Sequence, residues 1–157
     1  MPSHQRLAYE DFTRTWSAQA AALRTIGESA SAAGIDKAIV ELVKLRASQI
    51  NGCAFCLQFH LNLARKLGVP AAKLDLVAAW HDAGIFSPRE EAALAWAETI
   101  TRIADGGVPE GAYAAVRAEF DEAEVAALTL AIGAVNLWNR LGVAFRFAPP
   151  VPREAAA

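Results

Sequence analysis

The stretch Glu41-Leu-Val-Lys-Leu-Arg46-Ala-Ser48-Gln-Ile-Asn51-Gly-Cys53-Ala-Phe-Cys56-Leu-Gln-Phe-His60 decides how the rest of the chain is read. Asn51-Gly52 is a turn signal set between two segments whose apolar residues recur at helical spacing. Upstream, Ile39, Leu42, Val43 and Leu45 form the apolar stripe of a helix from about Lys37 to Ile50, with Asp36 as its N-cap. Downstream, Cys53 opens a helix that runs to Leu67 and stops at Gly68, with Pro70 beyond as a second stop. The two cysteines therefore fall in the first turn of a helix.

Working outward, helix formers dominate and no segment alternates with the period of two that a sheet requires, so the fold class is all-α. A helix is expected from about Tyr9 to Ala33, ended by Gly34, and a short one from Ala71 to Trp80. Ser87-Pro88-Arg89-Glu90 supplies an N-cap, a proline at the first helical position and a capping-box glutamate for a helix to about Ala104. After Gly106-Gly107 come a helix over Glu110 to Phe120, a second capping box from Asp121 and Glu124, and an apolar helix over Val125 to Asn139. Asp36, Ala38, Val40, Leu45 and Asn51 are echoed 85 residues later by Asp121, Ala123, Val125, Leu130 and Asn136, a faint sign of a duplicated hairpin in which Trp138 takes the place of Cys53.

The 157 residues suit one domain spanning 1–157, with loose ends expected at 1–8 and 149–157. With 54% hydrophobic and 20% charged residues, so short a chain has more apolar surface than one interior can hide, which predicts a homo-oligomer. A net charge of −2 without a basic cluster argues against nucleic acid as a partner. The longest uncharged run, Val125 to Asn139, is too short to span a bilayer, so it reads as a buried helix and no membrane partner is expected. No apolar leader precedes Tyr9, and the expected compartment is the cytoplasm.

The chemistry is concentrated in Cys53-Ala-Phe-Cys56. At a helix start, free backbone N–H groups and the positive end of the helix dipole favour thiolate, and a spacing of three brings the two sulfurs within bonding reach. His60 lies four residues beyond Cys56 and seven beyond Cys53, hence on the same face. An imidazole there can take the thiol proton and pass it to a leaving group, with Glu41 placed to orient it. The attacking thiol is expected to titrate below the ordinary value of about 8.5.

The quoted stretch resembles the core motif of the AhpD-like alkylhydroperoxidases in the carboxymuconolactone decarboxylase superfamily, most clearly over 36–101. The resemblance implies an AhpD-like helical domain assembled as a trimer or hexamer, with no cofactor. It implies that Cys56 is the peroxidatic cysteine, that Cys53 resolves it, and that Glu41 and His60 form the proton relay. The implied substrate is a small hydroperoxide or a disulfide, and the implied reductant is an external thiol or a lipoyl-bearing protein. At position 55, where dedicated peroxidases of the family carry histidine, this chain has Phe55.

Two alternatives stand beside this reading. Cys53, Cys56 and His60 could hold zinc in a binding module, with His81 or Glu41 as a fourth ligand, or the chain could be a non-catalytic helical oligomer. The superfamily also contains cofactor-free decarboxylases acting on carboxymuconolactone, but those are not organised around a dithiol. Arg46 is read as a partner of Glu41 or of another acid. His81 is read as a cap at a helix end and His4 as part of the leader. Trp16, Trp96 and Trp138 are read as core or interface, with Trp138 and Asn139 as candidate pocket residues.

Overall fold

Local signals set most helix ends. The carboxylate of Asp36 accepts the Ala38 N–H at 2.8 Å and starts α4 (Lys37–Asn51), which Gly52 ends at φ 65° in the left-handed region. Cys53 follows at once as the N-cap of α5 (Ala54–Lys66). In both capping boxes the reciprocal pair is made: Ser87 with Glu90 before α8 (Pro88–Thr101), and Asp121 with Glu124 before α11 (Glu122–Phe145). α10 (Glu110–Glu119) lies between them.

The computed structural model describes residues 4–152. Among them there is no strand, as expected of an all-α chain. The long first helix is broken into α1 (Tyr9–Thr15), α2 (Ser17–Gly27) and α3 (Ser29–Ala32). Its breaks fall at Trp16 and Glu28, beside serine and glycine, which hold a helix weakly. The bends let α2 and α3 follow α11, where a Cβ built on Gly27 would stand 3.8 Å from the Ala134 methyl. The segment expected as one short helix is likewise divided into α6 (Ala71–Leu76), a 3-10 turn (Val77–Ala79) and α7 (Trp80–Ala83). α8 stops at Thr101, and α9 (Ile103–Gly106) follows as a separate turn.

The hairpin of α4 and α5 is the centre of the molecule, and α8 and α11 pack against α4. Val40, Val43, Ala93, Phe120, Leu128 and Ile132 fill one core between α4, α8, α10 and α11. Leu42, Leu45, Val77, Trp80, Phe86 and Leu94 fill a second around the hairpin's other side. Burying each such large side chain contributes about 1.5–3 kcal/mol. α11 meets the length and composition of a membrane-spanning helix, yet it is the core helix here, with Leu128, Ala131, Ile132, Val135 and Asn139 buried against its neighbours.

α11 runs six residues past the expected end at Asn139. Arg140 does not stop it, because its guanidinium turns back to the Asn136 carbonyl oxygen at 2.9 Å and stays at the surface. The helix closes at Arg146, in the left-handed region at φ 53°, where the Phe147 N–H donates to the Gly142 carbonyl. The ends are also tied down rather than loose over the described residues. Arg6 and Leu7 donate backbone N–H groups to the Phe145 carbonyl, and the Asn62 amide donates to the Pro150 carbonyl. Residues 1–3 and 153–157 lie outside the described residues.

Candidate dithiol active site

The left-handed Gly52 turns the chain so that Cys53 stands at the open end of α5, and there its sulfur accepts the Cys56 N–H at 3.2 Å. Both cysteines are free thiols and buried, at 2% and 3% exposure. On the next turn of α5, His60 Nδ1 meets Glu41 Oε2 of α4 at 2.7 Å. A carboxylate can only accept, so Nδ1 carries the proton and Nε2 is left as the basic nitrogen. Lys44 stands 3.7 Å from the other Glu41 oxygen. The structure thus pairs Cys53 with Cys56 and His60 with Glu41, and Cys56, His60 and Glu41 line one cavity.

The sulfurs are not equivalent. Cys53 is lowered to about 7, chiefly because the Cys56 thiol donates to it, with the N–H groups of Cys56 and Phe55 and the Asn139 amide adding to the effect against burial. Cys56 is pushed upward, first by donating to Cys53 and then by burial and by the neighbouring negative charge. The expectation of a lowered attacking thiol at Cys56 is therefore corrected. The helix terminus spends its field on Cys53, the residue that caps it, and Cys56 holds its proton.

A cavity of about 720 Å³ opens over α4 and α5, and Cys56, His60, Glu41, Phe55, Phe59 and Trp138 form part of its wall. Cys53 is not in that wall. A small molecule in the cavity meets the sulfur that keeps its proton, and the thiolate lies behind it.

Behind the sulfurs is a polar layer that the motif did not announce. Asn139, wholly buried, donates to the Ser48 hydroxyl at 3.0 Å and accepts from the Asn51 amide at 2.9 Å. Asn51 also donates to Asn136, 85 residues away, so the two ends of the sequence echo touch where α4 crosses α11. Gly142 completes the enclosure, because a Cβ built there would stand 2.6 Å from the Cys53 sulfur and 3.5 Å from that of Cys56. Asn139, expected to line a pocket with Trp138, lies in this layer and outside the cavity wall; Ser48 and Gly142 were missed, and only the pairing of Asn51 with Asn136 in the echo pointed to this layer.

Other predicted residues serve the frame. Arg46 binds Glu98 at 2.7 Å rather than Glu41. Glu98 also receives the Trp80 indole N–H at 2.9 Å, and these donors hold its carboxyl below the usual range against the cost of burial. His81 caps no carbonyl. It stacks on Trp80 and faces Glu98 at 3.3 Å, away from the cysteines. Among the described residues no cluster of three or more His, Cys, Asp or Glu side chains is placed to hold a metal, so the zinc reading has no geometric support. Phe55 is packed against Tyr9, Phe59 and Phe147 in an aromatic nest that also includes Phe12. Trp96 is core, Trp16 is exposed, Trp138 lines the cavity and His4 is exposed.

A helical hairpin carrying a dithiol at the start of its second helix, with a Glu and a His on the wall of the cavity that Cys56 lines, is the arrangement expected of an AhpD-like protein. The chain belongs to the carboxymuconolactone decarboxylase family, whose profile matches residues 11–99. It is 41% identical over 110 residues to the uncharacterised protein YdfG of Bacillus subtilis (strain 168), covering 70% of this chain and 75% of that one. It is 31% identical over 111 residues to the uncharacterised protein YnjA of Escherichia coli (strain K12), with 70% of this chain spanning 60% of that one. A crystal structure from Agrobacterium tumefaciens, of a protein of unknown function proposed as an antioxidant defence protein AhpD, superposes with TM-score 0.86 at 33% identity over 94% of this chain and 99% of that one. An uncharacterised peroxidase-related protein with an alkylhydroperoxidase AhpD core, from Ralstonia eutropha JMP134, shares the fold, with TM-score 0.77 at 19% identity over 91% of this chain and 80% of that one.

Proposed function

We propose that the protein is a thiol-dependent peroxidase in which Cys56 attacks a hydroperoxide and Cys53 resolves the product. The observation that carries this reading is that Cys56 and His60 line the same cavity and that Glu41 engages His60 through Nδ1. His60 takes the Cys56 proton as the sulfur attacks the terminal oxygen of ROOH. The O–O bond breaks, an S–O bond forms, and His60 returns the proton to the leaving alkoxide, so that thiol and ROOH become sulfenic acid and ROH. Cys53, already ionised near neutrality, then attacks the Cys56 sulfur and expels hydroxide, which is protonated to water. The resulting disulfide is returned to two thiols by an external dithiol or a lipoyl-bearing protein, which is oxidised in turn. In this cycle the upward shift at Cys56 gives His60 its role, and the downward shift at Cys53 makes the resolving step fast. We place this cycle in the cytoplasm, where thiol reductants keep the pair open.

Single-turnover reduction of cumene hydroperoxide tests the assignment. Cys53→Ser is expected to accumulate a sulfenic acid on Cys56 that dimedone traps, whereas Cys56→Ser forms none. A dimedone adduct on Cys53 in the Cys56→Ser protein would reverse the roles.

A further inference from the structure

The cavity beside Cys56 has a charge distribution that peroxide chemistry alone does not require. The chain as a whole carries a net charge of −2, yet the cavity is lined by Arg24, Lys37, Lys44 and Lys66 against only Glu28 and Glu41. Glu41 is already engaged by His60 and Lys44. Arg24, Lys37 and Lys66 are exposed and make no ion pair among the described residues. A local excess of positive charge on a negative protein draws anions to that cavity.

The cations are also ordered along it. α4 and α5 are antiparallel, so Lys37 at the start of α4 and Lys66 at the end of α5 lie at the hairpin's open end, while Cys56 lies at the turn end. Ten residues of helix separate Cys56 from Lys66, a rise of about 15 Å. The wall between them presents Phe59 and Leu63 from α5 and Leu23 from α2. One end of the cavity is reactive, the middle is apolar and the far end is cationic.

We infer that the cavity binds an amphipathic carboxylate, a fatty-acid hydroperoxide held by Lys37 and Lys66 at its acid end with its reactive group about 15 Å away at Cys56. The inference deepens the peroxidase reading and rests on it only for the reactive end. The apolar wall supplies affinity without direction, and the cations set which end of the chain enters last. Hydroperoxides without a carboxylate fill the same cavity but lose their orientation.

Two measurements separate this inference from the reading beneath it. The first is binding without chemistry: laurate and lauryl alcohol are titrated into the reduced protein, with Trp138 fluorescence and calorimetry as readouts. Laurate is expected to bind more tightly than the alcohol, and added salt to weaken laurate alone, because exposed ion pairs are screened. The Lys37→Gln/Lys66→Gln protein is expected to lose roughly tenfold in laurate affinity, the effect of removing two exposed ion pairs. Arg65→Gln, which removes the same charge outside the cavity, is expected to bind laurate as the unmodified protein does. The second is turnover of linoleic acid hydroperoxide against its methyl ester, where a lower KM for the acid is expected and the preference is expected to vanish in the double variant. Equal affinity for laurate and lauryl alcohol, or equal loss in Arg65→Gln, overturns the inference. Tight laurate binding with no turnover of any hydroperoxide overturns the peroxidase reading and leaves the binding site standing.

Discussion

Gly142 of α11 stands so close to Cys53 that a single methyl group on it would lie 2.6 Å from the sulfur. In an ordinary helix interior, alanine is more stable than glycine by up to about 1 kcal/mol. Here the clash outweighs that gain, since overpacking a closed site costs about 1–3 kcal/mol. Gly142→Ala is expected to lower the unfolding free energy measured in urea by about 1 kcal/mol and to slow disulfide formation. The Cys53→Ala/Gly142→Ala protein, in which the offending sulfur is gone, is expected to recover the stability lost on adding the methyl. Additive effects of the two changes would mean that the glycine and the sulfur do not press on each other.

The two thiols are expected to titrate far apart. Thiolate ultraviolet absorbance should show one ionisation near 7 and no second one before strongly alkaline pH. Cys56→Ala removes the first cause of the lowering at Cys53, so that thiol should then titrate higher. For stability the sign follows from a depressed acid. The contribution is fully present above the unfolded thiol's value of about 8.5 and is lost as pH falls through about 7. Reduced protein is therefore expected to gain stability between pH 6 and pH 9 relative to the Cys53→Ser protein.

The relay has its own pH signature. His60→Ala is expected to slow peroxide attack about a hundredfold at neutral pH and much less at alkaline pH, where hydroxide removes the Cys56 proton unaided. Glu41→Gln keeps an oxygen that can accept from Nδ1 and is expected to lose less. A rate loss in His60→Ala that is the same at every pH would reduce His60 to a packing residue.

Glu98 ties α8 to Arg46 of α4 and to Trp80 of α7. Its lowered carboxyl contributes stability that is present above the unfolded value of about 4.3 and is lost as pH falls through the lower folded value. Glu98→Gln is expected to cost about 1–3 kcal/mol in urea unfolding at pH 7, because hydrogen bonds to a charged group are lost and Arg46 is left without its counter-ion. The cost should shrink toward pH 3. An undiminished cost at low pH would show that the carboxylate's charge contributes nothing.

A second copy of this chain is expected on the outer stripe of α11, where Ala126, Leu130, Gly133 and Leu137 are exposed at helical spacing. Leu130 and Leu137 are 52% and 44% exposed, and contiguous apolar surface on a chain already 54% hydrophobic is where self-association belongs. Light scattering should give an oligomer, and Leu130→Glu/Leu137→Glu a smaller mass. A monomer across all concentrations would remove this face from consideration.

Local rules carried the fold where the signal was chemical. Asp36, Ser87 with Glu90, Asp121 with Glu124, and the turn at Gly52 set helix starts and stops through hydrogen bonds within a few residues, so they are legible without knowing what packs on them. The breaks at Trp16 and Glu28 were not, because α2 and α3 bend to follow a helix more than a hundred residues later in the chain. The end of α11 was hidden for a related reason, since Arg140 marks a boundary only if its charge must leave the helix, and here it folds back on Asn136. At the candidate site, the meeting of Cys53 with Cys56 and of Glu41 with His60 was legible from residue type and spacing. Which sulfur keeps the proton was not, because that depends on which thiol donates to the other and on the Asn139 amide from another helix.

The sulfur that caps α5 also sets the electron affinity of the pair. A thiolate held by the Cys56 N–H and by its neighbour's thiol is stabilised only while the dithiol is reduced, and closing the disulfide removes that stabilised charge. The oxidised form is thereby raised in free energy relative to an unperturbed pair, and its reduction potential moves upward. In the cycle proposed above, the same capping geometry that starts a helix makes the closed disulfide a ready acceptor for an incoming dithiol.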